Sequence, residues 1–269
     1  MSSAAKTLEL LDLFTPAQPE IGLTQLCKLA KRDKATTYRH IQALEVYGLV
    51  EQNPLTKAYR LGPALLQLAQ MREATVPRKV AAEPALAALA EATGETAHVS
   101  VLSADTMYAL SACESPRHST RVIIDIRTLP LHATASGCCA LAFGPEELMA
   151  KARGNLEVFS ATTPATPEAL TAKVQQAKKD GFAVASQSYE DEVYSLAAPL
   201  FDQSGLFAGA VAVASVATRF TPALDRCIKE NLMIAAREIS RSWGGKIPPE
   251  IETSWTACLA DLQQMEPTT

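Results

Sequence analysis

Apolar residues near the start of the chain recur at helical spacing and then alternate in two brief runs. Leu8, Leu11 and Phe14 predict one side of a helix over Ala4–Phe14. Leu26, Leu29 and Ala30 predict a second helix, with Thr24 placed to cap its first turn. A third begins near Ala35 and carries Tyr38, Ile41, Leu44 and Tyr47 as a stripe, closed by Gly48 at the position where a left-handed residue ends a helix. With that stripe inward, Thr36, Thr37 and His40 are expected on the opposite face, with Arg39 at its flank. Leu49–Gln52 and Lys57–Leu61 then predict two strands around the turn Asn53-Pro54-Leu55-Thr56. Two short helices, a tight turn and a hairpin make a winged helix-turn-helix, which can set one helix in a DNA major groove.

Beyond it, Pro63–Arg72 reads as a linking helix and Arg78–Ala92 as another, ending at Gly94. Strands are expected at Thr96–Ser103, Thr106–Ser115 and Arg121–Ile126. The small-residue segment LPLHATASGCCALAFG should begin as a loop and become a helix near Ser136. Pro167–Asp180 predicts a helix, followed by strands at Phe182–Ser188, Tyr194–Phe201 and Leu206–Val216. Thr221-Pro222 opens a long helix to Trp243. This order implies an α+β chain: an N-terminal winged helix-turn-helix over residues 1–62, a linker helix over 63–76, a mostly antiparallel sheet domain over 77–243 and a C-terminal extension over 244–269. A chain of 269 residues has room for both domains.

Charge sharpens the picture. Between Lys28 and Arg60 lie seven basic residues against three acidic, a local net of +4 in a chain whose total is −4. A basic head on an acidic body is the electrostatic footprint of a DNA reader. The candidate contacts are Thr36, Thr37, Arg39 and His40 near base edges or phosphates, Arg32 and Lys34 at the helix start, and Lys57 and Arg60 from the wing. The glycines never form GxGxG or GxxxxGK, and there is no GxSxG elbow, so an enzyme using the winged helix only for dimerisation is the weaker alternative. The four histidines and six cysteines show no ligand spacing, so neither metal nor cofactor is expected. No apolar run approaches a membrane span and the first residues lack a signal peptide's apolar centre, which predicts a cytoplasmic protein with free thiols.

Three motifs, TTYRHIQALEVYGLVEQ…YRLGP, LPLHATASG and DGFAVASQSYEDEVYSLAAPLFDQSG, stand in an order and spacing that resembles the IclR family of bacterial transcriptional regulators over roughly residues 4–243. The resemblance implies a homodimer or tetramer that binds double-stranded operator DNA, with a GAF-like C-terminal domain that binds a small organic acid. Carried over position by position, it implies an effector site at Ala135, Ser136, Ala185, Ser195, Ala212 and Ala214, with Ile123 and Leu129 in the facing wall. Members that bind very small acids tend to have an acidic residue, a cysteine and two serines at the last four of the first six positions. Alanine, serine, alanine and alanine here imply a larger, less polar ligand.

An anion in a partly buried pocket needs a cation or several donors to offset its desolvation. His118, Arg121 and Arg127 are the candidate clamps, with the Ser136 and Ser195 hydroxyls orienting the ligand. Alanines around them leave room for a ring, and a small aromatic carboxylate is the expected effector. Cys138-Cys139 read as a buried pair of small residues, and His132 as a loop-fixing group. Effector binding is expected to bias the linker helix and so the separation of two winged helices.

Overall fold

The computed structural model describes residues 2–124 and 128–265, and the chain divides into two compact units, Met1–Pro77 and Arg78–Thr269. The first unit contains α1 (Ser3–Leu8), α2 (Leu23–Ala30), α3 (Lys34–Val46), the hairpin strands β1 (Val50–Gln52) and β2 (Tyr59–Leu61), and α4 (Ala64–Thr75). Its core gathers Leu10, Phe14, Ile21, Leu26, Ile41, Leu44, Val50 and Tyr59.

The expected helix Ala4–Phe14 is not continuous. It ends at Leu8 and resumes as a 3₁₀ turn over Leu11–Leu13, which shifts the phase so that Leu10 is buried and Leu8 is exposed. Thr24 does not cap α2, because the helix already starts at Leu23 with Gly22 at the cap position. Between α2 and α3 the backbone reverses at Lys31, which is left-handed at φ 52°. Asp33 caps α3 by accepting from the Thr36 amide at 2.9 Å. Gly48, at φ +67°, follows the end of α3 as expected.

The inward face of α3 is Thr37, His40, Ile41 and Leu44. The expected stripe Tyr38–Ile41–Leu44–Tyr47 advances by three residues each time, and each such step rotates about 60° around a helix of 3.6 residues per turn. Over three steps the drift reaches half a turn, so the two ends leave the core. Tyr38 is 43% exposed and Tyr47 78%.

The second unit is built on one antiparallel sheet in the order β5-β4-β3-β8-β7-β6, from β3 (Thr96–Ser103), β4 (Thr106–Cys113), β5 (Thr128–Leu129), β6 (Ala183–Ser186), β7 (Val193–Phe201) and β8 (Phe207–Val216). On one side α6 (Ala135–Phe143) packs against β6, β7 and β8, with α8 (Pro167–Asp180) behind it. On the other, α5 (Arg78–Thr93) and α9 (Pro222–Ser242) pack together across the middle strands. A short α7 (Glu147–Arg153) and a terminal α10 (Pro249–Met265) complete the unit. Thr166 and Thr221 cap α8 and α9 through the amides of Ala169 and Leu224, each with a proline in the first turn.

Two expectations change here. The predicted strand Arg121–Ile126 forms no ladder over its described part, residues 121–124; the strand that pairs with Met107 and Tyr108 is Thr128–Leu129. Side chains hold the segment instead: Thr96 Oγ1 donates to the Val122 carbonyl at 2.7 Å, and Arg121 is drawn to Glu114. Nor is the C-terminal segment an appendage, since Trp255 of α10 is fully buried in the main core of this unit.

Candidate functional site

The first candidate surface is the outer face of α3. Tyr38, Arg39 and Gln42 are exposed there, Gln42 one helical turn beyond the other two, with Lys34 exposed at the helix start and Thr36 half-buried. Gln42 Nε2 donates to the Tyr38 hydroxyl at 2.7 Å, which holds both polar ends on one patch. Thr37 and His40 do not belong to this face. Thr37 is fully buried and donates to the Asp33 carbonyl at 2.9 Å, while His40 is 4% exposed with Nδ1 2.7 Å from Thr7 Oγ1. Burial, together with Arg39, Arg32 and Lys6 nearby, pulls the His40 pKa below its ordinary value. The sequence pattern turns Tyr38 inward and so leaves Tyr38 and Gln42 out of the expected face; their i, i+4 spacing is the signal that pairs them.

The basic residues differ in availability. Lys57 is exposed on the wing in a left-handed conformation at φ 60°. Arg60 is paired with Glu51 at 2.6 Å and with Glu20 at 3.4 Å. Arg32 donates to the Lys6 carbonyl at 2.5 Å and pairs with Glu9, which ties the α2–α3 turn to α1. Both arginines therefore serve the fold of the domain, and an electrostatic count that treats them as free overstates the positive face.

The second candidate site is a cavity of about 170 Å³ in the C-terminal unit. Sheet register places Ala185, Ser195 and Ala214 side by side on neighbouring strands, and these residues line it with His98 of β3. Val122, Ile123 and Ile124 form the facing wall with Thr128 and Leu129. Ala133 to Ser136 line one end, and Ser188, Tyr189, Glu190 and Val193 another part of the boundary.

The α6 end is chemically distinctive. Thr134 caps the helix by accepting from the Gly137 amide at 3.0 Å and itself donates to the Pro130 carbonyl at 2.9 Å. Ala135 and Ser136 keep first-turn amides that have no partner within the helix, at the positive end of its dipole. A side chain at Gly137 would put its Cβ 2.3 Å from the Pro130 carbonyl oxygen, so the LPLHAT loop can lie on the helix only with glycine there. His98 is buried, with Nε2 3.3 Å from Ser136 Oγ, and burial lowers its pKa to about 4.

The family profile for the IclR helix-turn-helix domain matches residues 3–54, and the profile for the bacterial transcriptional regulator IclR C-terminal domain matches residues 76–241. The chain belongs to the IclR family of bacterial transcriptional regulators. It is 28% identical over 246 residues to the HTH-type transcriptional regulator XynR of Escherichia coli, covering 91% of this chain and 98% of that protein. A crystal structure from Silicibacter sp. TM1040, assigned to the same regulators, superposes with a TM-score of 0.84 at 36% identity, covering 93% of this chain and 99% of that one. An IclR homologue from Microbacterium hydrocarbonoxydans, crystallised with 4-hydroxybenzoate, shares the fold with a TM-score of 0.75 at 21% identity, covering 90% and 99% of the two chains.

Within this IclR-family chain the cavity brings together Ile123, Leu129, Ala135, Ser136, Ala185, Ser195 and Ala214 of the expected effector positions. Ala212 is fully buried beside His98 in the β3–β8 register and does not line it. The cationic clamps need correction. His118 lies 3.7 Å from Glu95, and Arg121 lies 2.5 Å from Glu114; neither lines the cavity. His118 faces the Glu95 carboxylate just before β3, and Arg121 the Glu114 carboxylate of its own segment. Arg127 lies outside the described residues. Among the described lining residues there is no lysine or arginine. Lys173 stands one residue behind the lining, with Nζ 3.1 Å from Ser188 Oγ, and its burial lowers its pKa.

Cys138 and Cys139 are both buried, which pushes the Cys138 thiol up to about 11 and Cys139 well above its ordinary range. His132 donates its Nε2–H to the Glu157 carbonyl at 2.8 Å, a loop contact. Among the described residues no group of three or more His, Cys, Asp and Glu could hold a metal, and no helix is long and apolar enough to cross a membrane.

Proposed function

We propose that this IclR-family regulator reads an operator of a catabolic operon in the cytoplasm and answers to a single-ring aromatic carboxylate bound in the C-terminal cavity. The observation that carries the ligand reading is the pairing of size with chemistry. A cavity of about 170 Å³ is lined largely by alanines and branched aliphatic residues, with the Ser136 hydroxyl and the first-turn amides of α6 at one end. Roughly 150 Å³ suffices for a benzene ring. The free amides at the start of α6 suit an anion, because they point their N–H groups outward at the positive end of the helix. Binding of 4-hydroxybenzoate by the Microbacterium homologue supports the same ligand class. On the winged unit the reading residues are Lys34, Thr36, Tyr38, Arg39 and Gln42, with Lys57 on phosphate. A homodimer would carry two such helices and a tetramer four, and either would favour a pseudo-palindromic operator.

Calorimetric titration of the full chain with benzoate and ring-substituted benzoates, beside acetate, pyruvate and glyoxylate, tests the ligand class. Saturable heat from the aromatic acids is expected. Heat from the short aliphatic acids alone refutes it. Repeating operator binding with and without saturating ligand tests the coupling, for which a changed operator affinity is expected.

A further inference from the structure

His98 is the residue the established family role leaves unexplained. It stands on β3, is 5% exposed and lines the cavity beside Ser136. Its Nε2 has a partner in Ser136 Oγ at 3.3 Å, whereas its Nδ1 is buried with no hydrogen-bond partner among the described residues. A buried polar atom left unpaired costs the protein its full desolvation, and His98 belongs to the cavity wall, so a ligand seated there can supply the missing bond.

The chemistry restricts what that bond can be. A neutral imidazole has one donor and one acceptor nitrogen, and a carboxylate only accepts. If Nε2 donated to Ser136, Nδ1 would present a lone pair and repel a carboxylate. If the Ser136 hydroxyl donates to Nε2, the proton sits on Nδ1 and becomes a donor. The serine hydroxyl can rotate to either role, so the ligand chooses the tautomer.

We infer that His98, held in the Nδ1–H form by Ser136, donates to the effector's carboxylate and is the specificity-determining residue of the cavity. The inference rests on the carboxylate reading above and deepens it. Recognition is then by neutral donors, the His98 N–H and the first-turn amides of α6. It suits a cavity whose described lining has no basic side chain. A neutral donor set favours carboxylates over the more heavily hydrated phosphates and sulfates, since desolvation of the ligand is the larger cost.

The test uses the full chain, calorimetry with benzoate, propionate and pyruvate, and two near-isosteric substitutions. His98→Asn places an amide N–H close to the Nδ1 position, and His98→Gln places one close to Nε2. His98→Asn is expected to keep the dissociation constant of the best-bound acid within about threefold, and His98→Gln to weaken it about ten- to a hundredfold. Wild-type affinity in His98→Gln overturns the assignment. Nitrogen-15 spectra of histidine-labelled wild-type protein supply a reading that needs no variant. On saturation with that acid the His98 Nδ1 resonance should be that of a protonated nitrogen, and a bare Nδ1 in the complex overturns the assignment. Binding of the aliphatic acids alone would remove the aromatic reading while His98 is still judged on whichever acid binds. Binding of no acid overturns both.

Discussion

Thr7 of α1 and His40 of the recognition helix meet inside the winged domain, Oγ1 to Nδ1 at 2.7 Å. Thr7 also donates to the Ser3 carbonyl at 3.1 Å, so its hydroxyl accepts from the His40 Nδ1–H. The bond locks the first helix to the third and keeps the imidazole away from DNA. His40→Ala should therefore lower stability by about 1–3 kcal/mol without altering the order of preference among operator sequences. Arg39→Ala should do the reverse: little change in the denaturation midpoint, and a loss of about 1–3 kcal/mol of binding wherever it reads a guanine. Urea denaturation and binding to a panel of single-base operator variants separate the two, and a sequence-dependent defect in His40→Ala would reject the assignment.

The wing makes a second contrast. Lys57 is exposed and has no carboxylate against it among the described residues, whereas Arg60 already has Glu51 and Glu20. Counterion release counts charges that newly meet phosphate, about 0.9 in the salt slope for each. Lys57→Ala should flatten the slope by about one, weakening every sequence alike. Arg60→Ala should change it by clearly less, because removing the arginine also frees two carboxylates. Equal slopes for the two variants would show that Arg60 leaves its partners on binding.

These contrasts also mark what the amino-acid order reveals. Local signals are legible: Pro167 and Thr221-Pro222 open helices, Gly48 closes one, and strand alternation places five of the six sheet strands within a residue or two, β5 being the exception. Of the alanines and serines carried over by motif, all but Ala212 fall on one cavity, because sheet register aligns Ala185, Ser195 and Ala214 and α6 brings Ala135 and Ser136. Pairings across the chain were not legible. Arg32 meets Glu9, Arg60 meets Glu20, and Arg121 meets Glu114, and nothing in composition distinguishes those arginines from free ones. For a related reason, alternation gives His98 a face of β3, and only the tertiary fold says that this face carries α6.

Glu95 makes the strongest such pairing. It is 2% exposed and receives Arg219 through two bonds, Nε at 2.8 Å and Nη2 at 2.7 Å, while Arg219 also donates to the Thr120 carbonyl. The arrangement fastens α9's approach to the loop that continues into the Val122–Ile124 wall of the cavity. Removing one partner of a buried pair costs about 3–5 kcal/mol, and the partial exposure of Arg219 reduces this. Glu95→Gln should destabilise the protein by about 1–3 kcal/mol and weaken ligand binding through a looser wall. Unchanged urea midpoint and ligand affinity would show that the pair contributes neither.

The buried imidazole of His98 gives a pH dependence with a definite sign. Its ordinary value is 6.5 and burial lowers it to about 4, so the unfolded chain takes up the proton first. Above pH 6.5 neither state is protonated and the group adds no penalty. As pH falls from 6.5 towards 4, stability drops, by about 3 kcal/mol once both states are protonated. His98→Asn lacks the titration. The difference in unfolding free energy between wild type and His98→Asn should therefore shrink or invert between pH 7 and pH 4.5; a constant difference would place the His98 pKa near its ordinary value.

The terminal helix supplies a test of where the C-terminal domain ends. The family profile stops at residue 241, yet Trp255 is fully buried, stacks on Phe182 with ring centroids 5.6 Å apart, and donates its indole N–H to the Gly181 carbonyl at 2.7 Å. Gly181 is left-handed at φ +75°, and a Cβ there would lie 2.5 Å from the indole ring, so the helix end and the tryptophan fit only with glycine between them. Outside, Arg237 lies over the Trp255 ring and pairs with Glu252, joining α10 to α9. Truncating a buried tryptophan costs about 3–5 kcal/mol. Trp255→Ala should lower stability by that amount, and Gly181→Ala should follow it because it combines a strained backbone with a steric clash. Both effects belong to one contact, so the double variant should lose less than the sum of the two single losses. Additive losses in urea denaturation would mean that α10 is anchored elsewhere and that the domain is complete without this tryptophan.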